Sequence, residues 1–440
     1  MLKVVNPIKN LFKNSEFKKY LINTSWLYCE KFFKIIVSFF VVIMVTRYLG
    51  PDKFGIISYA QSFVGIFLAL SSLGLDVLLV REIAKNKENS SILIGTAFFM
   101  KTLVGIVCIL IILALSLINY DKETFLYINV ISLSLIFYNF RTIDTYFQAN
   151  VLGKYSAIAN TISFLISSLG KILLVLFQMD LIYFCILIVI DAMTISISYI
   201  CIYKKMNNYI YKWKFDKKIA LLLMQKSWPL LLTAFAAFIY TRIDQLMLKH
   251  IISSSEVGEY AAALKICDIL NLLPFMIVSS VYPKLISLKE ISESAYMSLI
   301  ANLYKLLTWI SIPMVLILTL YSEEIIKLLY GVRFTEASDI LFLLSFSIIL
   351  ISIGSLTTKI LYVESYEKKY LVRSIIGMIL NIVLNFFMIP ILGGKGAALS
   401  TLITLFFIYY IYDIFDRDLH RYFIFKVLCF VPINYKIHAE

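Results

Sequence analysis

The sequence predicts an all-α integral membrane protein with about twelve transmembrane helices. They form two six-helix lobes related by pseudo-two-fold symmetry around a central cavity. Three observations predict this. Of 440 residues, 60% are hydrophobic and only 16% are charged, with mean hydropathy +0.86, whereas an average soluble domain carries roughly 25% charged residues. Apolar runs of about 20 residues, the length that crosses a bilayer, recur twelve times with short connections. The chain also repeats itself: Ser25-Trp26 returns as Ser227-Trp228, and Phe54-Gly55 returns as Val257-Gly258, at offsets of 202 and 203 residues. Each half holds an even number of spans, so the copies share one orientation and their axis runs along the membrane normal.

Taken in order, a basic cytoplasmic N-terminus fills residues 1–20. It lacks a cleavage signature, so the first helix is read as retained. The N-lobe, 21–203, contains spans near 21–46, 54–80, 91–118, 124–149, 155–177 and 181–203. Between spans 1 and 2 lies the turn Arg47-Tyr48-Leu49-Gly50-Pro51, where Gly50 relieves the backbone and Pro51 suits the first turn of a helix. A basic cytoplasmic linker, 204–227, separates the halves. The C-lobe, 228–413, contains spans near 228–248, 256–283, 296–320, 338–362, 370–390 and 395–413. Pro274 and Pro313 fall inside spans 8 and 9, where proline frees a carbonyl and kinks a helix. The tail, 414–440, is cytoplasmic or interfacial. Its apolar stretch 423–431 is short and interrupted by Lys426, so it reads as peripheral, with a thirteenth span as the alternative.

Lysine and arginine placement orients the spans. With both ends inside, the cytoplasmic segments carry 25 Lys and Arg and the outer segments seven, from Arg47 to Lys395. This distribution also accounts for the net charge of +13 without nucleic acid, because the basic residues sit between apolar runs and not along one soluble face. The six cysteines are scattered, with no C-x-x-C, so neither a disulfide framework nor a metal site is expected. The three histidines lie outside the proposed spans. No nucleotide-binding loop occurs, and no cofactor is expected. Any driving energy must come from an ion gradient or the membrane potential.

Fifteen charged residues fall within the spans: Lys31, Lys34, Lys101, Arg141, Lys171, Arg242, Lys265, Lys305 and Lys359, with Glu30, Asp76, Asp144, Asp191, Asp244 and Asp268. At a helix centre each costs about 2.5–3.5 kcal/mol, so they must pair, snorkel or line a wet cavity. Spacing suggests that Glu30/Lys34, Arg141/Asp144 and Lys265/Asp268 share helix faces, whereas Arg242 and Asp244 point to different partners. Basic residues outnumber acidic ones, and a cationic cavity suits an anionic headgroup such as pyrophosphate. The candidate substrate-binding residues are Lys31, Lys34, Lys101, Arg242, Lys265 and Lys305. The candidate ion-coupling residues are Glu30, Asp191, Asp244 and Asp268.

The chain resembles a known family. The carrying residues are Thr46-Arg47-Tyr48-Leu49-Gly50-Pro51 with Phe54-Gly55, Gly74-Leu75, and Arg81-Glu82-Ile83-Ala84. Further on come Val257-Gly258-Glu259-Tyr260, Asn381-x-x-x-Asn385, Ile389-Pro390 and Gly393-Gly394-Lys395-Gly396-Ala397-Ala398. In this order they resemble the polysaccharide-transporter branch of the multidrug/oligosaccharidyl-lipid/polysaccharide flippase superfamily, the bacterial O-antigen flippases. The resemblance implies alternating access around a V-shaped cavity. It implies export of an undecaprenyl-pyrophosphate-linked O-antigen or capsule repeat unit to the periplasmic leaflet of the inner membrane. By location, Lys31, Lys34, Arg242 and Lys265 match the headgroup-contacting cations of relatives. Expected partners are the lipid-linked oligosaccharide, membrane lipids, and the polymerase and chain-length regulator of the same pathway.

Two other classes compete. A membrane polymerase or glycosyltransferase of the same pathway is expected to carry a large outer loop or a nucleotide-sugar site, and the sequence shows neither. A drug exporter of the same fold is disfavoured by the surplus of embedded lysine.

Overall fold

The computed structural model describes residues 15–431, with the side chains of Trp26 and of residues 30–431 except Asn119. The N-terminal segment to residue 14, the side chains of Asn23, Ser25 and Cys29, and His438 lie outside that description. All regular structure among the described residues is helical.

The chain divides into two compact units. One takes residues up to 45 together with 64–231, and the other takes 46–63 together with the chain from 232 onward. Among the described residues nine helices are long and apolar enough to cross a membrane, or ten if the bent pair Ala337–Ser345 and Ser347–Val363 is one span. Two of the nine, Glu30–Lys85 with 56 residues and Glu367–Phe415 with 49, far exceed the about 20 residues a crossing needs. Each contains a glycine with positive φ and no helical geometry: Gly50 (φ 69°, ψ 176°) and Gly393 (φ 56°, ψ −135°). Counting each as a pair turns ten into the twelve predicted.

α1 (Ser15–Ser71) contributes to both units and runs to a turn at Gly74; in the first unit α2 (Leu75–Lys85) follows. The predicted span 54–80 is therefore broken near its end. Next come α3 (Ser90–Asn119), α4 (Lys122–Ser132), α5 (Ser134–Tyr138), a 3-10 turn at Asn139–Arg141, and α6 (Thr142–Ala149). The fourth predicted span thus runs as one helical stretch, Lys122–Ala149, tightened locally at the 3-10 turn. α7 (Gly153–Leu176) and α8 (Leu181–Lys205) complete the set. Small residues bury one face of α7, namely Ser156, Ala159, Ser163 and Ser167. Small side chains let membrane helices approach closely.

The predicted linker 204–227 is not a free loop. A 3-10 turn forms at Ile210–Lys212, and α9 (Lys217–Ile251) begins ten residues before Ser227. Trp213 is buried, with its ring 5.1 Å from that of Phe98, and the Asp216 amide donates to Thr96 Oγ1 at 3.1 Å. Apolar contact and a side-chain acceptor fix this basic segment on α3, a packing that loop composition does not reveal.

In the second unit, α10 (Ser254–Ile291) starts on a capping run Ser253-Ser254-Ser255-Glu256: Ser253 Oγ accepts from the Glu256 amide at 3.2 Å. α11 (Glu293–Leu320), α12 (Ser322–Tyr330), α13 (Ala337–Ser345), α14 (Ser347–Val363) and α15 (Glu367–Phe406) follow. The helices continue through Pro274 and Pro313. A π-helical turn at Phe407–Ile411 leads to α16 (Tyr412–Phe415), and α17 (His420–Leu428) closes the described chain. Its nine residues rise about 14 Å, too little for a bilayer of about 30 Å.

Residues 51–58 cross the start of α10 at van der Waals limits. A Cβ on Gly55 would overlap the carbonyl of Ser254, and one on Gly258 would overlap the carbonyl of Pro51. These are the two glycines that mark the repeat. Beside them Arg333 donates to the Arg47 carbonyl and lies against Gly50, Ser62 donates to Gln245 at 2.6 Å, and Tyr59 meets His250 at 3.0 Å.

Candidate functional site

The membrane-embedded charges form two groups, one in each unit. In the first, Glu30 precedes Lys34 by one helical turn, the order that best supports an intrahelical pair. Their side chains meet at 2.6 Å, with Glu30 7% exposed and Lys34 27%. The Lys34 ammonium lies 5.7 Å from the Phe164 ring, and the Lys154 ammonium lies 5.3 Å from the Trp26 ring. Both cations thus rest on aromatic faces of α1 and α7. Asp191 of α8 accepts from Ser163 Oγ at 2.7 Å, and the Lys171 charge lies within its electrostatic reach. Lys31 is exposed on α1.

Lys101 stands apart. It is buried and paired with Asp76 at 2.5 Å. It pins α3 to α2 and presents no bare charge to a cavity. Arg141 and Asp144 do not form the pair their spacing suggests. Arg141 lies in the 3-10 turn, and Asp144 accepts from Gln148 Nε2 at 2.7 Å.

In the second unit, Arg242 and Asp244 do point to different partners. Arg242 of α9 pairs with Asp268 of α10 at 2.9 Å. The long guanidinium bridges the two helices to reach Asp268. Lys265 and Lys305 are half-buried on α10 and α11. Arg242 lies about 14 Å along its helix from Ile251, and Asp268 about 21 Å from Ser254, at about 1.5 Å per residue. The pair therefore lies well inside both long apolar helices, yet the side chains are 28% and 36% exposed.

Asp244 is fully buried. Its carboxylate accepts from Tyr260 Oη at 2.5 Å, Asn385 Nδ2 at 2.5 Å and Thr401 Oγ1 at 2.7 Å. Asn385 Nδ2 also donates to Asn381 Oδ1 at 3.1 Å, while Asn385 Oδ1 is buried without a partner. Among the described residues Asp244 forms no ion pair. The Asp244 carboxylate of α9 thus gathers two hydroxyl groups and an amide NH2 from α10 and α15. The motif Asn381-x-x-x-Asn385 carried a usable signal, since two amides one turn apart in an apolar span mark an inward polar face.

Sequence reasoning missed two further clusters. Arg373 and Lys426, counted above within the cytoplasmic segments, are buried around Asp413. Arg373 donates to one of its oxygens, and Lys426 donates to the other at 2.5 Å. Lys426 also donates to the Tyr409 carbonyl in the π-helical turn at 2.8 Å. The second cluster is Glu259, which is buried and accepts from the Thr335 and Ala337 amides at 3.1 and 2.9 Å, capping α13 from α10.

Residues 20–289, more than half of the chain, match the polysaccharide biosynthesis protein family. The chain belongs to that family. A curated relative, "Probable low-salt glycan biosynthesis flippase Agl15" of Haloferax volcanii, is 24% identical over 172 residues. That stretch covers 39% of this chain and 36% of the relative, so the match spans about a third of the relative's length. Solved structures share the fold. Lipid II flippase MurJ in an inward closed conformation superposes with a TM-score of 0.75 at 16% identity, covering 92% of this chain and 90% of that one. An inward-facing multidrug resistance transporter of the MATE family superposes with a TM-score of 0.72 at 12% identity, covering 88% and 96%. A transporter of the MOP superfamily from Pyrococcus furiosus gives 0.64 at 12% identity, covering 90% and 96%. This member of the polysaccharide biosynthesis protein family is thus a multi-pass, all-helical membrane protein with the MOP-superfamily fold.

Proposed function

We propose that the protein is a flippase for an undecaprenyl-pyrophosphate-linked oligosaccharide, an O-antigen or capsule repeat unit. It moves this lipid from the cytoplasmic to the periplasmic leaflet of a bacterial inner membrane by alternating access. The observation that carries the reading is the Arg242–Asp268 pair. Charges held well inside two long apolar helices yet a quarter to a third exposed would be costly against lipid, and they suit the wall of a wet passage for a charged headgroup. The family and the flippase relative support the same substrate class. Deleting the gene and then fractionating lipid-linked intermediates by leaflet tests the reading. A flippase leaves completed repeat units stranded on the cytoplasmic leaflet. If those units are never made, the protein acts earlier and the reading is wrong.

Coupling is assigned to Asp244. A buried carboxylate ringed by neutral hydrogen-bonding groups takes up a proton or a hard cation such as sodium. Sodium chloride should then raise the thermal stability of the purified protein above that in choline chloride, and Asp244→Asn should remove the difference. A proton site predicts no sodium effect but a pH-dependent transport rate that Asp244→Asn flattens. An Asp244→Asn protein that transports normally with unchanged ion dependence excludes both.

A further inference from the structure

The basic stretch that leads into α9 carries charge that nothing around it offsets. Residues 204–226 hold seven lysines and one acid, Asp216. All seven lysines are exposed. Lys226 pairs with Glu82 at 3.0 Å, and the other six form no ion pair among the described residues. Asp216 is already engaged: its carboxylate accepts from the Lys218 and Ile219 amides at 2.8 and 3.0 Å and so caps α9. The backbone beneath is fixed. A Cβ on Gly95 would lie 2.8 Å from both the amide nitrogen and the carbonyl oxygen of Lys214, and the Trp213 ring packs on Phe98. The segment is thereby pressed onto α3, with its lysines on the outside.

Apolar side chains stand among these cations. Tyr211, Phe215, Leu221, Met224 and Trp228 are each more than half exposed, while Ala220, Leu223 and Ser227 form the buried stripe of α9. The ten residues of α9 before Ser227 rise about 15 Å, and they precede the predicted span. Water would leave the apolar row uncovered, and hydrocarbon would strand the lysines. The boundary between the two satisfies both.

We infer that this surface binds anionic phospholipid headgroups of the leaflet it faces, the cytoplasmic one by the lysine and arginine count. The six unmatched lysines meet the phosphates, and Phe215, Leu221, Met224 and Trp228 enter the acyl boundary beneath them. Basic amphipathic segments lie in the interface in this way, and lysine stems rest on apolar surface while their ammonium groups reach outward. Two features favour lipid over an acidic protein. The apolar row continues along α9 to Trp228, where the predicted span begins, so headgroups are already within reach. Aromatic and aliphatic side chains are interleaved with the cations, an arrangement that matches a phosphate layer over hydrocarbon. The inference does not depend on what the protein transports.

The test is hydrogen exchange of the purified full-length protein in nanodiscs of phosphatidylglycerol and, separately, of phosphatidylcholine. Exchange across residues 206–226 should be slower in phosphatidylglycerol. The gap should close at about 1 M salt, where the screening length falls to about 3 Å. Each lysine near an anionic surface contributes about fivefold in affinity. Combining Lys212→Gln, Lys214→Gln, Lys217→Gln and Lys218→Gln should therefore abolish the gap, while exchange in phosphatidylcholine stays as in wild type. The salt response uses wild type alone, so it decides the matter if the combined variant fails to fold. Equal exchange in the two nanodiscs overturns the proposal, as does a phosphatidylglycerol effect that survives high salt or the four substitutions. Protection by added polyglutamate but not by phosphatidylglycerol assigns the surface to an acidic protein and also overturns it.

Discussion

Asp413→Asn should destabilise the folded protein by about 3–5 kcal/mol, the cost of removing one partner from a buried ion pair, while Lys426→Met should cost little. The magnitudes follow from the cluster. Arg373, Asp413 and Lys426 are all 2% exposed or less, so two cations share one anion in a dry site. Removing the anion leaves both unpaired. Removing Lys426 loses a hydrogen bond to the Tyr409 carbonyl, about 1 kcal/mol, but also removes the surplus charge. Burial, reinforced by the Arg373 charge and opposed by Asp413, pushes the Lys426 ammonium down to about 8. Its folded value lies below its free value of 10.5, so between the two the unfolded chain binds more protons. This stabilising contribution is absent below about pH 8 and grows as pH rises towards 10.5, by roughly 3 kcal/mol at full extent. The assay is thermal unfolding of the purified protein at pH 7 and pH 9.5. Wild type should gain stability at the higher pH relative to Lys426→Met, Asp413→Asn should be weaker at both, and the double variant should recover part of the loss. If Lys426→Met is as damaging as Asp413→Asn and the relative pH gain is missing, the surplus-charge reasoning is refuted.

Gly55→Val and Gly258→Val should each destabilise by about 1–3 kcal/mol, the usual cost of overpacking, read as lower membrane abundance and an earlier melting transition. Glu259→Ala should cost about 1–3 kcal/mol by leaving the Thr335 and Ala337 amides unpaired. Hydrogen exchange should then rise at the start of α13 before it rises elsewhere. Lys34→Ala and Arg242→Ala should impair translocation while leaving membrane abundance near normal; equal loss of both would make these cations structural.

The helices were legible because hydropathy and the length of a bilayer crossing act on local sequence. The breaks at Gly50 and Gly393 were visible as Gly50-Pro51 and as the Gly393-Gly394 pair. The pairing of charges was only partly legible. Glu30 and Lys34 meet because an i,i+4 pair needs nothing beyond the helix. Asp268 was spaced for Lys265 but meets Arg242 from the neighbouring helix, which only packing can decide. Arg373 and Lys426 escaped for a related reason: at a span end, sequence position does not separate a cation facing water from one buried under a returning helix. Glu259 caps amides 76 and 78 residues away, a distance at which no local pattern reports.

The crossing at Gly55 and Gly258 has an implication for the protein's ancestry. Gly55 meets Ser254, and Gly258 meets Pro51. Both Pro51 to Ser254 and Gly55 to Gly258 are steps of 203 residues. Position one on the first copy touches position two on the second, and position two on the first touches position one on the second. That reciprocity is the mark of an isologous two-fold contact between identical subunits. A six-helix ancestor would have made this same contact with another molecule of itself. Fusion of two such copies would turn a concentration-dependent dimer into a single chain.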